Sequence, residues 1–258
     1  LKYVLFFPFI YFYKSRLSKG SIGFHLIFEW VAAIILVILL GESSSWLENL
    51  SRTLCHYFLF ISCYEIGYII NDSYDASRDP LARQRLPADG TLTWAWLWIS
   101  SRVGFFFLGT LVLGAWQDIQ WWAFYGALFV IFLFHNLVLY RELKVISFFW
   151  LAWYRFMAPI VFVIIDEQVF GIGFAAAMGY VIFRHMSYLD SKNVLFLPER
   201  RSIRFSLIFF LFPLASIGFV VKFPFSEGYV ILTSFWALAS LIGSAIVWFN
   251  KRLKVCSP

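Results

Sequence analysis

The segment "EIGYIINDSYDASRDP" places a group of carboxylates where an apolar run of the chain ends. Its aspartates Asp72, Asp75 and Asp79 lie within an arc of about 60° if one helix continues through them, since a helix advances about 100° per residue. Like charges held this close repel each other unless a cation binds between them. Mg²⁺ suits such a place, because it binds through a few carboxylates together with substrate phosphates. We therefore predict a Mg²⁺ site made by these three aspartates and supported by Asn71.

Glu65 and Tyr68 precede the aspartates and project to the same side of the predicted helix. An acidic residue inside an apolar segment is costly unless it faces a cavity or a partner, so Glu65 favours a functional face. The alternative is that the aspartates are solvated in a loop and only mark the end of a helix. The spacing N-D-x-x-D-x-x-x-D favours the metal site over this alternative.

The composition is that of a protein embedded in a membrane. Of the 258 residues, 61% are hydrophobic and 14% are charged, and the mean hydropathy is +0.77. A soluble chain of this length needs more charge to cover its surface, so a soluble domain is excluded. The three cysteines form no CxxC pair or Cys/His cluster, which argues against a zinc site and a disulfide framework.

Apolar runs long enough to cross a bilayer recur along the whole chain. They predict an all-α fold, a transmembrane helical bundle of about eight spans around a central cavity open to the cytoplasmic side. The predicted spans cover residues 23–41, 52–71, 93–115, 120–140, 146–165, 168–187, 204–221 and 229–249. Short linkers predict a single domain over 23–258, preceded by an interfacial segment over 1–22.

The positive charges are divided unevenly between the two ends of these spans. Of the 21 lysine and arginine residues, only Arg52 and Lys222 fall on the side opposite the N terminus, while Arg102 and Arg155 fall inside spans. The basic side of a membrane protein is cytoplasmic, so the acidic segment is expected to face the cytoplasm. The expected location is a bacterial cytoplasmic membrane. The net charge of +6 follows from this bias and requires no nucleic-acid partner.

The acidic segment and two later segments resemble motifs of one family. "NDSYDASRD" (71–79) resembles the first signature of the UbiA-type superfamily of intramembrane prenyltransferases, which closes the second span on the cytoplasmic side. "RLPADG" (85–90) is similar to the Arg-Pro-containing segment that follows this signature. "YRELK" (140–144) is similar to the Tyr-x-x-x-Lys element after span four.

The resemblance implies a role for each matched residue. Asp72, Asp75 and Asp79 would bind Mg²⁺–diphosphate, with Asn71 supporting them. The expected phosphate contacts are Tyr140 and Lys144 in the facing loop, together with Arg83 and Arg85.

The chain departs from the family after span six, where most members carry a second aspartate pair, D-x-x-x-D. Here the region reads "FRHMSYLDSKNVLFLPERR" and offers Asp190 among several cations. Arg184 and Lys192 could replace a second metal as direct counter-ions to phosphate. On a helix, Arg184, Tyr188 and Lys192 would share a face. The alternative for this cluster is the ordinary positive charge of a cytoplasmic loop. The family also usually has nine spans rather than eight.

Three functions remain open at the level of the sequence. The resemblance implies prenyl transfer from a polyprenyl diphosphate to an acceptor, with an isoprenoid lipid substrate in contact with membrane lipids. A second branch of the superfamily transfers 5-phosphoribose from phosphoribosyl diphosphate to a polyprenyl phosphate. The basic loop after span six and Arg155 favour such a phosphate-bearing co-substrate. The third is a non-catalytic membrane subunit or a transporter, whose path Glu29, Glu65, Arg102 and Arg155 would line.

Overall fold

The structure, a computed structural model, describes residues 3–17, 22–75, 92–138 and 140–256. Their regular structure is helical, which confirms the predicted all-α class. In chain order the helices are α1 (Ile22–Leu40), α2 (Trp46–Ile70), α3 (Leu92–Val112), α4 (Ile119–Leu137), α5 (Arg141–Met157), α6 (Asp166–Ser191), α7 (Ile203–Leu211) and α8 (Ser226–Cys256). The shorter helical turns are Val4–Phe6, Ile10–Phe12, Tyr13–Leu17, Asn71–Asp75, Ala115–Gln117, Pro198–Arg201, Phe212–Ser216 and Ile217–Val220.

The helices have the length and apolarity of membrane spans, and the protein is an integral membrane protein. Among the described residues, 6 helices are long and apolar enough to cross a bilayer, namely α1, α2, α3, α4, α6 and α8. Large apolar side chains such as Leu111 and Val130 point away from the protein, as expected of surfaces that contact lipid. The predicted spans at 146–165 and 204–221 coincide with shorter helices, α5 and Leu207–Val220, so eight was an approximate count.

The chain divides into two compact units. The first unit contains Leu1–Gly23 and Ser51–Pro159, and the second contains Phe24–Leu50 and Ile160–Pro258. The predicted interfacial segment therefore belongs to the first unit together with most of α2 and all of α3, α4 and α5. The prediction of one domain over 23–258 with a central cavity stays a prediction.

In the first unit, α2 packs closely against its neighbours. A Cβ atom added at Gly67 would overlap the ring of Phe132 in α4, and one added at Gly109 of α3 would overlap Leu59. The hydroxyl of Tyr64 donates to the carbonyl of Leu151 in α5, 3.3 Å away. These contacts fix the position of the end of α2 that carries the acidic segment.

The N-terminal segment, residues 3–17, is built from short turns instead of one helix. Phe9 has a φ of 75°, which few residues other than glycine adopt, and this breaks the segment before Ile10–Phe12. Leu5 and Tyr11 are buried in a cluster with Ile69 of α2 and Trp98 of α3. The segment thus packs into the first unit.

In the second unit, α8 packs against α1, α6 and α7. A Cβ atom at Gly171 of α6 would overlap the carbonyl oxygen of Phe225, so only glycine permits this approach of α6 to the start of α8. The side chain of Gln168 joins the same elements, because it donates to the carbonyl of Pro224 and accepts from the N–H of Gly228. The core of this unit therefore lies around α8.

Candidate functional site

Asp72 lies at the end of α2, in the π-helical turn Asn71–Asp75, and is buried. Its carboxylate accepts hydrogen bonds from two residues of the N-terminal segment. The hydroxyl of Tyr11 donates to Oδ2 at 2.8 Å, and the guanidinium of Arg16 donates to Oδ2 at 3.1 Å and to Oδ1 at 2.9 Å. Both carboxylate oxygens are therefore engaged within the chain.

Arg16 is held on two sides. Besides its paired bonds to Asp72, its guanidinium carbon lies 4.3 Å from the centroid of the Tyr68 ring, a cation–π contact. Burial lowers the pKa of Arg16, but the carboxylate of Asp72 outweighs this effect, so the pKa is raised above its ordinary value. Arg16 consequently keeps its positive charge at any working pH.

Glu65 forms a second, deeper ion pair about two turns before Asp72. Its carboxylate lies 2.8 Å from the guanidinium of Arg102, and both side chains are 0% exposed. Glu65 also accepts the backbone N–H of Phe12 at 2.6 Å, and Arg102 donates to the carbonyls of Leu5 and Phe7. This pair fastens the N-terminal segment to α2 and α3.

Aromatic rings occupy the space between the two ion pairs. Phe12 and Tyr68 are stacked, with centroids 6.1 Å apart and an interplanar angle of 2°, and Tyr64 meets Tyr68 edge-on. The guanidinium of the buried Arg155 lies 4.8 Å from the centroid of Phe12. Glu65, Tyr68 and Asp72, which the sequence places on one face, all contact the N-terminal segment, while the predicted continuation of that face to Asp79 stays a prediction. The structure also brings Arg155 to this stack.

The described residues contain four π-helical turns, Tyr13–Leu17, Leu26–Val31, Asn71–Asp75 and Ala177–Val181. Each turn supplies one member of a polar contact between distant segments. Arg16 and Asp72 join the first and third turns, and Glu29 and Tyr180 join the second and fourth. Such turns are rare and occur often at functional sites.

Glu29 is the centre of a buried polar cluster within the second unit. Its Oε1 atom bonds to Nδ1 of His25 at 2.8 Å and accepts from the hydroxyl of Tyr180. Trp236 of α8 stacks against Tyr180 and donates from its indole N–H to the carbonyl of Phe28 at 3.1 Å. The carboxylate is thus enclosed by aromatic side chains in this unit.

The two predicted phosphate contacts after α4, Tyr140 and Lys144, differ in how exposed they are. Tyr140 directly precedes α5 and is 72% exposed, whereas Lys144, one turn later, is buried. The backbone carbonyl of Lys144 accepts a hydrogen bond from the hydroxyl of Ser147. The same hydroxyl is hydrogen-bonded to Nδ1 of His135, 2.7 Å away. The roles of Tyr140 and Lys144 in phosphate binding stay predictions.

The predicted basic cluster after span six lies in the second unit. Arg184, Tyr188 and Asp190 belong to the last part of α6, and their side chains are partly buried. The helix ends at Ser191, so Lys192 lies just beyond it instead of continuing the predicted face. Asp190 accepts the backbone N–H of Leu197 at 2.9 Å and so orders the following loop. Their contribution to the site around Asp72 stays a prediction.

Part of the predicted acidic site lies outside the described residues. Asp79, Arg83 and Arg85 belong to residues 76–91, and only the backbone of Asp75 is described. Within the part that the structure describes, no group of three or more His, Cys, Asp or Glu residues could hold a metal ion. Asp72 and Asn71 offer the oxygen donors that Mg²⁺ prefers, but Asp72 can bind a cation only if Arg16 leaves it. The chemistry fits Mg²⁺ under that condition.

Sequence reasoning missed the partners of Asp72. In the sequence, Arg16 is one of the many cations on the expected cytoplasmic side, and Tyr11 lies in the predicted interfacial segment. No local signal marks them, because they lie 56 and 61 residues from Asp72 in the chain. Arg102 was detectable, because a cation inside a span requires a partner and Glu65 is an obvious one.

Comparisons of the chain with models of protein families, with curated proteins and with solved structures give no match. Any function is consequently inferred from the residues and their geometry.

Proposed function

We propose that the protein is a Mg²⁺-dependent membrane transferase of the UbiA type, which moves a prenyl group from a polyprenyl diphosphate to an acceptor with loss of diphosphate. One observation carries the proposal. Asp72, the first aspartate of the N-D-x-x-D-x-x-x-D segment, is buried at the end of a membrane helix, where its carboxylate is already paired with a cation. The expected location is a bacterial cytoplasmic membrane with the site on the cytoplasmic face.

In this proposal each polar group has a binding role. Asp72, Asp75 and Asp79 would hold Mg²⁺ against the diphosphate, where it would stabilise the charge of the leaving group. Tyr140, just before α5, and Lys144, in the first turn of α5, bind the phosphate oxygens. A buried lysine side chain suits this role, since its charge is poorly screened by water.

The aromatic stack gives the first unit a surface for an electron-poor carbon. Phe12 and Tyr68 are stacked next to Asp72, and Tyr64 lies edge-on to Tyr68. Aromatic faces attract positive charge, and a ring-lined site excludes water that would otherwise capture a carbocation-like centre. Aromatic rings are common in membrane proteins, so this feature supports the proposal without carrying it.

A second candidate is transfer of 5-phosphoribose from phosphoribosyl diphosphate to a polyprenyl phosphate. Two guanidiniums favour it, because Arg16 lies over Tyr68 and Arg155 lies over Phe12 on the same aromatic stack. This reaction has an anionic acceptor as well as an anionic donor. Two cations on one aromatic stack suit that charge balance better than a second acidic pair.

Product analysis by mass spectrometry tests the proposal. The purified protein with Mg²⁺ is offered labelled polyprenyl diphosphate with candidate acceptors or, separately, phosphoribosyl diphosphate with polyprenyl phosphate. A lipid product from one mixture alone identifies the reaction. The variants Asp72→Asn and Asp75→Asn are expected to abolish turnover and retain the fold. Asp166→Asn, which removes an exposed carboxylate at the start of α6, is the matched control. Unchanged turnover in Asp72→Asn rules out the site.

A further inference from the structure

The contacts of Asp72 set a condition on any divalent ion that binds there. Arg16 contacts both oxygens of the carboxylate, at 3.1 and 2.9 Å, and Tyr11 contacts one of them. The three hydrogen bonds leave one lone-pair position on Oδ1, but a metal ion bound there would repel the guanidinium at such a short distance. Arg16 and a divalent ion therefore compete for Asp72.

We propose that Arg16 is a counter-ion that changes partners: it pairs with Asp72 in the absence of donor, and it binds a diphosphate oxygen once a Mg²⁺–diphosphate donor occupies Asp72. This inference rests on the proposed function and adds to it a phosphate-binding residue that the sequence motifs do not contain. The exchange keeps Asp72 paired in both states. It also couples binding of the metal to binding of the diphosphate.

The environment of Arg16 allows the change. Its side chain is 15% exposed and belongs to the π-helical turn Tyr13–Leu17, whereas the side chain of Arg102 is 0% exposed. The N-terminal segment is fastened earlier, through Leu5, Phe7 and Phe12. Arg16 can therefore leave Asp72 while the segment remains attached to α2 and α3.

The Tyr68 ring keeps Arg16 at the site after it leaves the carboxylate. The guanidinium lies 4.3 Å from the centroid of this ring, a contact that does not depend on Asp72. A planar guanidinium donates two parallel hydrogen bonds to phosphate as readily as to carboxylate. A small shift across the ring is enough to exchange one anion for the other.

The proposal is tested by ligand binding to the whole protein in nanodiscs. The ligands are Mn²⁺, used in place of Mg²⁺, and inorganic pyrophosphate. Electron paramagnetic resonance measures free Mn²⁺, and calorimetry measures pyrophosphate binding in the presence of Mn²⁺. Arg16→Gln is expected to tighten binding of Mn²⁺ alone by about fivefold and to weaken pyrophosphate binding by a similar factor, a normal size for coupling between two ligands. Lys14→Gln removes an exposed cation from the same segment and is expected to change neither constant.

The outcomes separate this inference from the proposed function. If Asp72→Asn loses Mn²⁺ binding and Arg16→Gln shows the opposite changes for Mn²⁺ and pyrophosphate, the exchange is supported. If Asp72→Asn loses Mn²⁺ binding but Arg16→Gln binds both ligands like the wild type, the exchange is overturned and the metal site stands. A lower thermal midpoint of Arg16→Gln with unchanged binding also overturns it, since Arg16 is then only a structural brace. If Asp72→Asn binds Mn²⁺ like the wild type, the metal site itself is disproved.

Discussion

Glu65 and Asp72 lie on the same face at one end of α2, and each pairs with an arginine, but the two pairs have different surroundings. The side chains of Glu65 and Arg102 are both 0% exposed, and this pair also binds backbone groups of the N-terminal segment. In the other pair, Arg16 is 15% and Asp72 3% exposed. Arg16 comes from a short turn, whereas Arg102 comes from the middle of α3.

The difference fits the proposal that one helix face serves both to attach the N-terminal segment and to bind substrate. A fully buried ion pair is costly to break, because either charge alone lacks both water and a partner. Such a pair suits attachment, and Glu65 with Arg102 fastens residues 5–12 in place. A pair that keeps some contact with water is easier to break, because water can replace a lost partner, and such a pair can change partners. Asp72 with Arg16 has these properties, which the proposed substrate site requires.

The largest expected effect comes from breaking the deep pair. Arg102→Met leaves the carboxylate of Glu65 buried without a cation and is expected to cost about 3–5 kcal/mol of stability. Unfolding in mixed detergent and SDS measures it. The double variant Glu65→Gln with Arg102→Met is expected to recover part of the loss, because no charge is then uncompensated. Lys222→Met, at an exposed cation, is the control. Equal stability of Arg102→Met and the wild type would mean that the deep pair is not an anchor.

The stretch of α2 between the two pairs offers the next test. Gly67→Ala places a methyl group against the ring of Phe132 and is expected to cost about 1–3 kcal/mol through overpacking. The same unfolding assay measures it. Gly104→Ala on α3 is the control, because its added Cβ meets no atom within 4 Å and alanine favours a helix. A neutral Gly67→Ala would show that α2 can move relative to α4, and the two pairs would then not be held on one rigid face.

Removal of the neutral donor at Asp72 should have a smaller effect. Tyr11→Phe deletes one of the hydrogen bonds to the carboxylate and is expected to cost about 1.5 kcal/mol, as is usual for a hydrogen bond to a charged group. Tyr13→Phe, at an exposed ring of the same segment, controls for the general effect of losing a hydroxyl. If Tyr11→Phe lost as much stability as Arg102→Met, the contacts of Asp72 would serve attachment, as those of Glu65 do.

The smallest expected effect on stability comes from Arg16 itself. Arg16→Gln removes the charge but retains an amide donor for Asp72, and it is expected to cost about 1 kcal/mol, the size of one lost hydrogen bond. A double-mutant cycle between Arg16→Gln and Asp72→Asn, measured by unfolding, should give a smaller coupling energy than the cycle between Arg102→Met and Glu65→Gln. Equal coupling energies would remove the distinction between an attachment pair and an exchangeable pair.

Much of the fold was predictable, because it depends on composition and helical period. The excess of apolar residues predicted a membrane protein made of helices. The spacing of Glu65, Tyr68 and Asp72 predicted their common face, since side chains three and four positions apart lie together on a helix. The span count was less accurate. The apolar run that contains Pro213 is interrupted by the turn Phe212–Ser216, which hydropathy does not detect.

The partners of the acidic side chains were not predictable from local patterns. Arg16 and Asp72 are 56 residues apart, and Glu29 and Tyr180 are 151 residues apart. Both contacts depend on tertiary packing, and contacts between distant residues leave no periodic pattern in a single sequence. The π-helical turns are likewise invisible in the sequence, since they arise where packing forces an extra residue into a helical turn.

The acidic segment follows directly on α2 through the π-helical turn at 71–75, so its orientation depends on the length of α2. Removal of Ile70, the last residue of α2, would rotate everything after it by about 100° relative to the preceding part of the helix. Glu65 would stay opposite Arg102, while Asp72 would turn away from the N-terminal segment. A single-codon deletion at the end of the span is thus enough to redirect Asp72 while Glu65 keeps its partner.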